Sequence, residues 1–422
     1  MRKPFDLILF GASGFTGRLV AEYLHRSYGA GGDLTWAMAG RNVTKLGALR
    51  DRLGKAESVP LLAADAADAA TLKKLVRQTE VVITTVGPYQ QHGQALAVAC
   101  AEEGVDYVDL CGEPAWMAQM IPLLEPLARQ SGARIVFSCG FDSIPFDLGV
   151  VYLQDEALLR LGAPLCRVRG RVRTMKGEFS GGTAASLLAT MEQMRNDASA
   201  ARVMADPFAL TPGFSGPAQP ADEGATFDDR AQAWTAPFIM AAINTKNVHR
   251  TNALRGHPWG ADFVYDERML AGKGHRGELR SRRMARQMRI QNALLGFAPT
   301  RAVLRRFALP KPGEGPNQAQ REAGRYELQF FGDTADGRAL SVTVTGDRDP
   351  GYGSTSKMIS ESALCLLQDI DRVATPGGVW TPGAAMGLAL VRRLQARAGL
   401  TFSVDEPAAA GAEAERPQVA TV

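Results

Sequence analysis

The chain reads as an α/β protein: an N-terminal doubly wound parallel sheet, then a second α+β region with antiparallel strands. Three observations carry that reading. Residues Phe5 to Arg41 run from an apolar stretch through a glycine-rich turn and a helical pattern to a second apolar stretch. From Val59 to Ser138, short apolar runs alternate with helical patterns, as a parallel sheet with helical crossovers requires. Between Arg325 and Thr345 the pattern turns to alternation about Asp336-Gly337, the signature of a hairpin.

Phe5, Leu7, Ile8, Leu9 and Phe10 suit a strand buried on both faces. Gly11-Ala12-Ser13-Gly14-Phe15-Thr16-Gly17 follows at once, and Arg18 to Leu24 has apolar positions at helical spacing. Gly11 permits a tight turn off the strand. Gly14 lacks a Cβ, so a pyrophosphate can approach the backbone, and Gly17 lets the helix pack close to the sheet. The free N–H groups and positive dipole end of that helix then face the phosphates of a dinucleotide. The second strand, Thr35 to Ala39, stops at Gly40-Arg41-Asn42, with Lys45 a turn later. An acidic residue there would read a ribose 2′-hydroxyl; the Arg41 guanidinium suits a 2′-phosphate instead. The expected cofactor is therefore NADP(H), against the alternative that Arg41 is a solvated residue at a helix start.

Val43 to Leu53 reads as a short basic helix, and Val59 to Ala64 as a third strand ending at Asp65. Asp65 either meets the adenine or, like Asp68, caps the helix Ala66 to Gln78. Glu80 to Val86 is a fourth strand, which places Thr85, Gly87, Pro88 and Tyr89 at the carboxyl edge where open α/β sheets bind ligands. His92 sits at the entrance of the next helix, Gln90 to Glu103. Asp106 to Leu110 and Ala133 to Ser138 are strands five and six, separated by the helix Pro114 to Ser131. Three strand ends converge: Gly87-Pro88-Tyr89, Cys111-Gly112-Glu113 and Cys139-Gly140-Phe141-Asp142.

Beyond residue 150 the chain leaves the first domain. A strand from Cys166 to Met175 opens the second, and Ser180-Gly181-Gly182-Thr183 precedes an apolar helix, Ala184 to Met194. That helix start either caps itself through Ser180 or Thr183 or receives a polar substrate group. Asp206 to Asp229 and Leu309 to Glu322 read as loops, Ala236 to Asn244 as an apolar stretch, and Ala261 to Tyr265 as a strand. Ser354 to Asp369 and Ala384 to Ala398 read as helices and Leu400 to Val404 as a last strand. The expected division is 1–150 for cofactor, 151–404 for substrate, with the last helix packing back on the first domain, and a disordered tail over 405–422.

With 422 residues, two domains are the prior. A charge of +4 without a long basic run excludes a nucleic-acid partner, and the arginines of 275–289 suit a solvated helix face. Five scattered cysteines without a CxxC pair point to neither a metal site nor a disulfide framework, and fit a reducing cytoplasm. The first residues run straight into a strand, leaving no room for a signal peptide, and no apolar run reaches membrane-spanning length.

The stretches Gly11 to Gly17, Ala39-Gly40-Arg41, Gly87-Pro88-Tyr89, Cys139 to Pro145, Gly351-Tyr352-Gly353 and Gly378 to Pro382 together resemble the saccharopine dehydrogenase-like oxidoreductases, within them the trans-acting enoyl reductases. The resemblance spans nearly the whole chain. It implies a Rossmann domain, a second domain with a mixed sheet and a nicotinamide cofactor in the cleft. It further implies a lipid-like acyl substrate and leaves room for peripheral membrane association; a homodimer stays open. The expected activity is an NADP(H)-dependent reductase acting on an unsaturated or carbonyl substrate, with Tyr89, His92 and Cys139 as proton-donor candidates. Its rivals are an amino-acid or imine dehydrogenase, which would need arginines clamping a carboxylate, and a non-enzymatic NADP-binding sensor or scaffold.

Overall fold

The computed structural model describes residues 3–54, 57–177, 181–221, 224–296 and 314–406, without the side chains of 181–184. The strands of the described residues form two seven-stranded sheets. The first contains β1 (Phe5–Phe10), β2 (Trp36–Gly40), β3 (Leu61–Ala63), β4 (Thr79–Thr84), β5 (Asp106–Val108) and β6 (Arg134–Val136). The second is built from β7 (Leu165–Lys176), β8 (Thr226–Asp228), β9 (Ala233–Pro237), β10 (Val264–Gly272), β11 (Arg325–Thr334) and β12 (Ala339–Gly346), with β14 (Leu400–Val404) at its edge. The remaining strand, β13 (Gly378–Trp380), belongs to the first sheet.

The first sheet is wholly parallel, in the order β13-β6-β5-β4-β1-β2-β3. Both its faces are covered, which is why β1 is apolar without alternation. Leu7 and Leu9 enter a core with Val20, Leu24 and Met358, whereas Ile8 and Phe10 face the opposite core with Leu96 and Met120.

The seventh strand comes from far along the chain. β13 pairs with β6 in register Val379↔Ile135, in a stretch whose glycine and proline neighbours leave no strand pattern to read. A three-residue edge strand carries too few alternations to declare itself. The return is held by Arg134, buried on β6. Its Nε donates to the Asp106 carboxylate at 3.0 Å, and its other nitrogens donate to that carboxylate and to the carbonyls of Leu366 and Ile370. The helix Thr355–Gln368 thus lies in the first sheet's core, through Met358, Ile359 and Leu364, rather than only the last helix folding back.

The second sheet runs β14-β12-β11-β7-β10-β9-β8 and is mixed. β7 and β10 pair in parallel and the other neighbours antiparallel. The hairpin of β11 and β12 turns at Asp336-Gly337, with Gly337 at φ +85°. Four readings need correction. The stretch 206–229 ends in a strand, β8. Ala236 to Asn244 divides into the end of β9 and the start of a longer helix, Ala241–Leu254. This helix is buried almost all round while carrying Asn244, Lys246, Asn247, His249, Arg250 and Thr251, so apolar periodicity cannot find it. Within 309–322, Gln318–Glu322 is a helix with a capping box between Asn317 and Gln320; 309–313 lie outside the described residues. The helix expected over 384–398 breaks at Met386 into Pro382–Ala385 and Gly387–Arg397. Of the C-terminal segment, Asp405 is tied to Thr343 and Gln329, and 407–422 lie outside the described residues.

Replacing Arg134 by methionine leaves the Asp106 carboxylate buried with only the more exposed Arg372 beside it. We expect a loss of about 3–5 kcal/mol in urea unfolding, the usual consequence of removing one partner of a buried pair. A loss below about 1 kcal/mol would show that Arg372 replaces it.

Candidate active site

The glycine turn is shaped by close approach. Gly11 sits at φ +87°, and a Cβ there would come within 2.6 Å of Val86 Cγ2. At Gly17 a Cβ would stand 2.2 Å from the Gly11 carbonyl oxygen, so nothing larger lets the helix Phe15–Tyr28 approach the turn. Gly14 is different: exposed, its Cβ position meets only the Gly11 oxygen at 3.3 Å, and its outer side is open. Gly14 is also the helix N-cap without a side-chain cap, which leaves first-turn N–H groups free of helical partners. Ala12 is buried in the core; Ser13 faces the end of β2, its Oγ 3.8 Å from the Cβ position of Gly40. Thr16 lines the cleft, and Phe15 packs edge-on against Tyr352 at 5.1 Å between ring centroids.

Arg41 is exposed at the end of β2, followed by Asn42, which caps the next helix by accepting from Lys45 N. At the end of β3, Asp68 caps the helix Ala69–Val76, and Asp65 accepts from Ala67 N in a local turn. An open glycine cradle, an uncapped helix start and an exposed guanidinium with no acidic residue at the end of β2 fit a dinucleotide carrying a 2′-phosphate.

Beyond the turn lies a cleft between the two sheets, a cavity of about 250 Å³ continuous with a second of about 160 Å³. Thr85, Gly87 and Tyr89 form one wall; Thr85 Oγ1 donates to the Gly11 carbonyl at 3.3 Å, and the Gly87–Pro88 peptide is cis. Leu187, Met191 and Met194 of the helix Gly181–Asn196, together with Met204, Ile239, Met240 and Ile243, make the opposite wall apolar. Ser180 and the side chain of Thr183, offered as caps of this helix, lie outside the description. Among the described residues of the cleft there is no arginine, lysine or histidine.

The three proton-donor candidates fare differently. Tyr89 lines the cleft, but its hydroxyl accepts from Leu110 N at 2.9 Å and donates to the Thr84 carbonyl, and burial holds the phenol well above its ordinary value. Its proton is committed to backbone. His92 lies outside the cleft, exposed on the far side of the short helix Tyr89–His92 with Lys73 and Glu102. The turn after Pro88 rotates that side chain away from the strand ends. Cys139 is wholly buried, with its thiol directed at the Val136 and Phe137 carbonyls; burial pushes the thiol well up. The backbone leaves β6 with Ser138 at φ +62°, so the thiol falls in the core.

Groups the pattern did not nominate hold the cleft together. Glu113 accepts from Tyr89 N, Gln90 N and Ser186 Oγ at 2.9–3.0 Å, joining the first sheet to the apolar wall. Asp109 accepts from Cys111 N, Ser138 N and Tyr107 Oη, bracing the ends of β5 and β6, and burial raises it to about 7. Asp142 faces both cavities and is the single carboxyl lining either among the described residues.

The profile described as saccharopine dehydrogenase NADP binding domain matches residues 7–136. A trans-acting enoyl reductase of Mycobacterium ulcerans is 36% identical over 93% of this chain and 96% of its own. A Mycobacterium tuberculosis protein described as a candidate trans-acting enoyl reductase is 40% identical over the same shares. The chain belongs to the trans-acting enoyl reductase family. Glutamate-forming saccharopine dehydrogenase of Saccharomyces cerevisiae shares the fold, with a TM-score of 0.54 and 15% identity over 95% of this chain and 100% of that one. This member is an NADP-dependent oxidoreductase. No helix of the described residues is long and apolar enough to cross a membrane, and among them no cluster of three or more His, Cys, Asp or Glu could hold a metal.

Gly17→Ala should force the turn open, because the added methyl meets backbone on two sides. We expect a cost of about 1–3 kcal/mol from overpacking together with lost NADPH fluorescence enhancement. A variant with wild-type Tm and normal binding would show that the helix can shift freely.

Proposed function

We propose that this enzyme reduces the carbon–carbon double bond of an apolar α,β-unsaturated acyl thioester with NADPH. The observation that carries the reading is the cleft: methionine and isoleucine side chains on one wall, the strand ends of the first sheet on the other, and no cation among its described residues. A carboxylate-bearing amino-acid substrate would find no clamp among those residues, which disfavours the dehydrogenase alternative. Methionines suit a long flexible chain because their unbranched side chains repack around it. The family name of the relatives supports the same substrate class.

In this reading Gly11, Ala12, Ser13, Gly14, Phe15, Thr16 and Gly17 cradle the pyrophosphate, Arg41 holds the 2′-phosphate and Asp65 meets the adenine. Thr85, Gly87 and Pro88 flank the nicotinamide, which supplies hydride when bound. The apolar wall excludes water and orients the acyl chain. Five unpaired cysteines fit a reducing cytoplasm.

Two measurements test it. Calorimetric titration should show wild type preferring NADPH to NADH, with Arg41→Ala losing roughly 1.5–3 kcal/mol for NADPH alone, the worth of a charge-assisted hydrogen bond. Equal affinity for both cofactors in wild type contradicts the 2′-phosphate role. Second, kcat/KM for enoyl thioesters should rise with chain length, since each Å² of apolar surface buried contributes about 25 cal/mol. Activity confined to short keto acids with amino acids would replace this reading with an imine dehydrogenase.

A further inference from the structure

A reduction that adds hydride to one carbon needs a proton for the other, and the donor must stand in the cleft with its proton uncommitted. Tyr89, His92 and Cys139 are excluded by geometry: one is tied to backbone, one is outside, one is in the core. Glu113 already accepts three hydrogen bonds, which engage both of its oxygens. Cys111 turns its sulfur to Glu113 N at 3.4 Å.

Asp142 has the opposite character. It lies between β6 and the helix Ile144–Leu161, and its carboxyl has no hydrogen-bond partner among the described residues. It borders both halves of the cleft, next to Thr16 and Leu110 on one side and Met240 on the other. The Cβ position of Gly112 stands 4.0 Å from its Oδ2, so the neighbouring strand end leaves room around the carboxyl. Its loop is fixed from both flanks: Phe141 N donates to Thr355 Oγ1 at 3.0 Å, and Asn247 Nδ2 donates to Ser143 Oγ at 2.6 Å. A free carboxyl on a rigid loop in an apolar cleft is how a fold prepares a general acid.

We propose that Asp142 is the proton donor of the reduction. The assignment rests on the enoyl-reductase reading above. As hydride from the nicotinamide bonds to the β-carbon, the π pair moves onto the α-carbon; there a C–H bond forms as the Asp142 O–H bond breaks. The products are the saturated thioester, NADP⁺ and the Asp142 carboxylate, which recovers a proton from water when the cleft opens to solvent. Burial alone raises this carboxyl to about 6, with no charged partner opposing it. Of the other titratable groups that line these cavities among the described residues, Tyr89, Cys111 and Tyr352, none is a cation. Filling the cleft removes more water, which raises the carboxyl further and favours its protonated form.

The test compares wild type with Asp142→Asn and Asp142→Glu. Without cofactor, wild-type Tm should fall relative to Asp142→Asn as pH rises from 4 to 7. The sign follows from a folded-state pKa above the unfolded one: the folded carboxyl holds its proton where the unfolded chain has lost it, so stability declines through that window. All three proteins should bind NADPH within about threefold of one another. With an enoyl thioester that wild type reduces, Asp142→Asn should lose kcat by about 10²–10⁴-fold at little changed KM, and Asp142→Glu should recover part of it. The wild-type fall in kcat at high pH should vanish in Asp142→Asn. A wild type that reduces the thioester while Asp142→Asn keeps kcat within threefold, or keeps the wild-type pH profile, overturns the proton-donor role alone. A wild type that binds NADPH yet reduces no thioester overturns the reduction reading, and the donor role with it.

Discussion

The arrangement of the cleft depends on one buried carboxylate, Asp147. It lies in the first turn of the helix Ile144–Leu161, accepts from Thr251 Oγ1 at 2.6 Å and accepts from Gly383 N at 2.7 Å. Three segments distant in the sequence therefore meet at one side chain. Gly383 must be glycine there, since a Cβ would stand 2.6 Å from Asp147 Oδ1. Burial still raises the carboxyl to about 6, with the Thr251 and Gly383 hydrogen bonds opposing the shift. Its ionisation thus costs stability as pH climbs through the window between the usual Asp value and 6, and both hydrogen bonds limit that cost. Asp142 lies just before the same helix, so the bonds of Asp147 also help to set where the one carboxyl lining the cleft among the described residues stands.

The helix Ala241–Leu254 extends this logic. Several of its buried polar side chains reach specific partners: Asn244 Nδ2 to Glu267, Asn247 Nδ2 to Ser143, Arg250 to the carbonyls of Leu210 and Val379. A buried polar group without a partner costs more than the bond returns, so such a helix fits one position only. Its N-terminal end supplies Ala242 and Ile243 to the cleft, and the preceding Ile239 and Met240 complete that wall. Polar groups behind the wall hold the position, and apolar groups in front present the surface. Substrate contact and structural specificity are thereby divided between opposite faces of the same element.

Much of the fold is legible in local patterns. The glycine turn, the buried β1 and the hairpin of β11 and β12 each follow from a short-range rule: close approach, two covered faces, alternation about a turn. The candidate site is legible only at its proposed cofactor end, because the roles we propose for Gly11, Gly14, Gly17 and Arg41 rest on their own backbone or position. Its chemical end is not. Tyr89, His92 and Cys139 stand at the right places along the chain, yet side-chain direction separates them into a bonded phenol, an outward imidazole and a core thiol.

The sequence by itself determined the parallel sheet, the dinucleotide turn, the NADP(H) cofactor and the antiparallel hairpin of the second sheet, because each is encoded within a few residues or one period. Only the tertiary structure decided that β13 closes the edge of the first sheet, that a polar helix is buried, and that Asp142 is the free carboxyl among the described residues of the cleft. Those outcomes depend on contacts across large sequence separations, such as Arg134 with Leu366 and Asp147 with Gly383. Local pattern carries the identity of each partner but not which of them will meet, and burial by the whole fold decides which polar group is satisfied and which is left free to react.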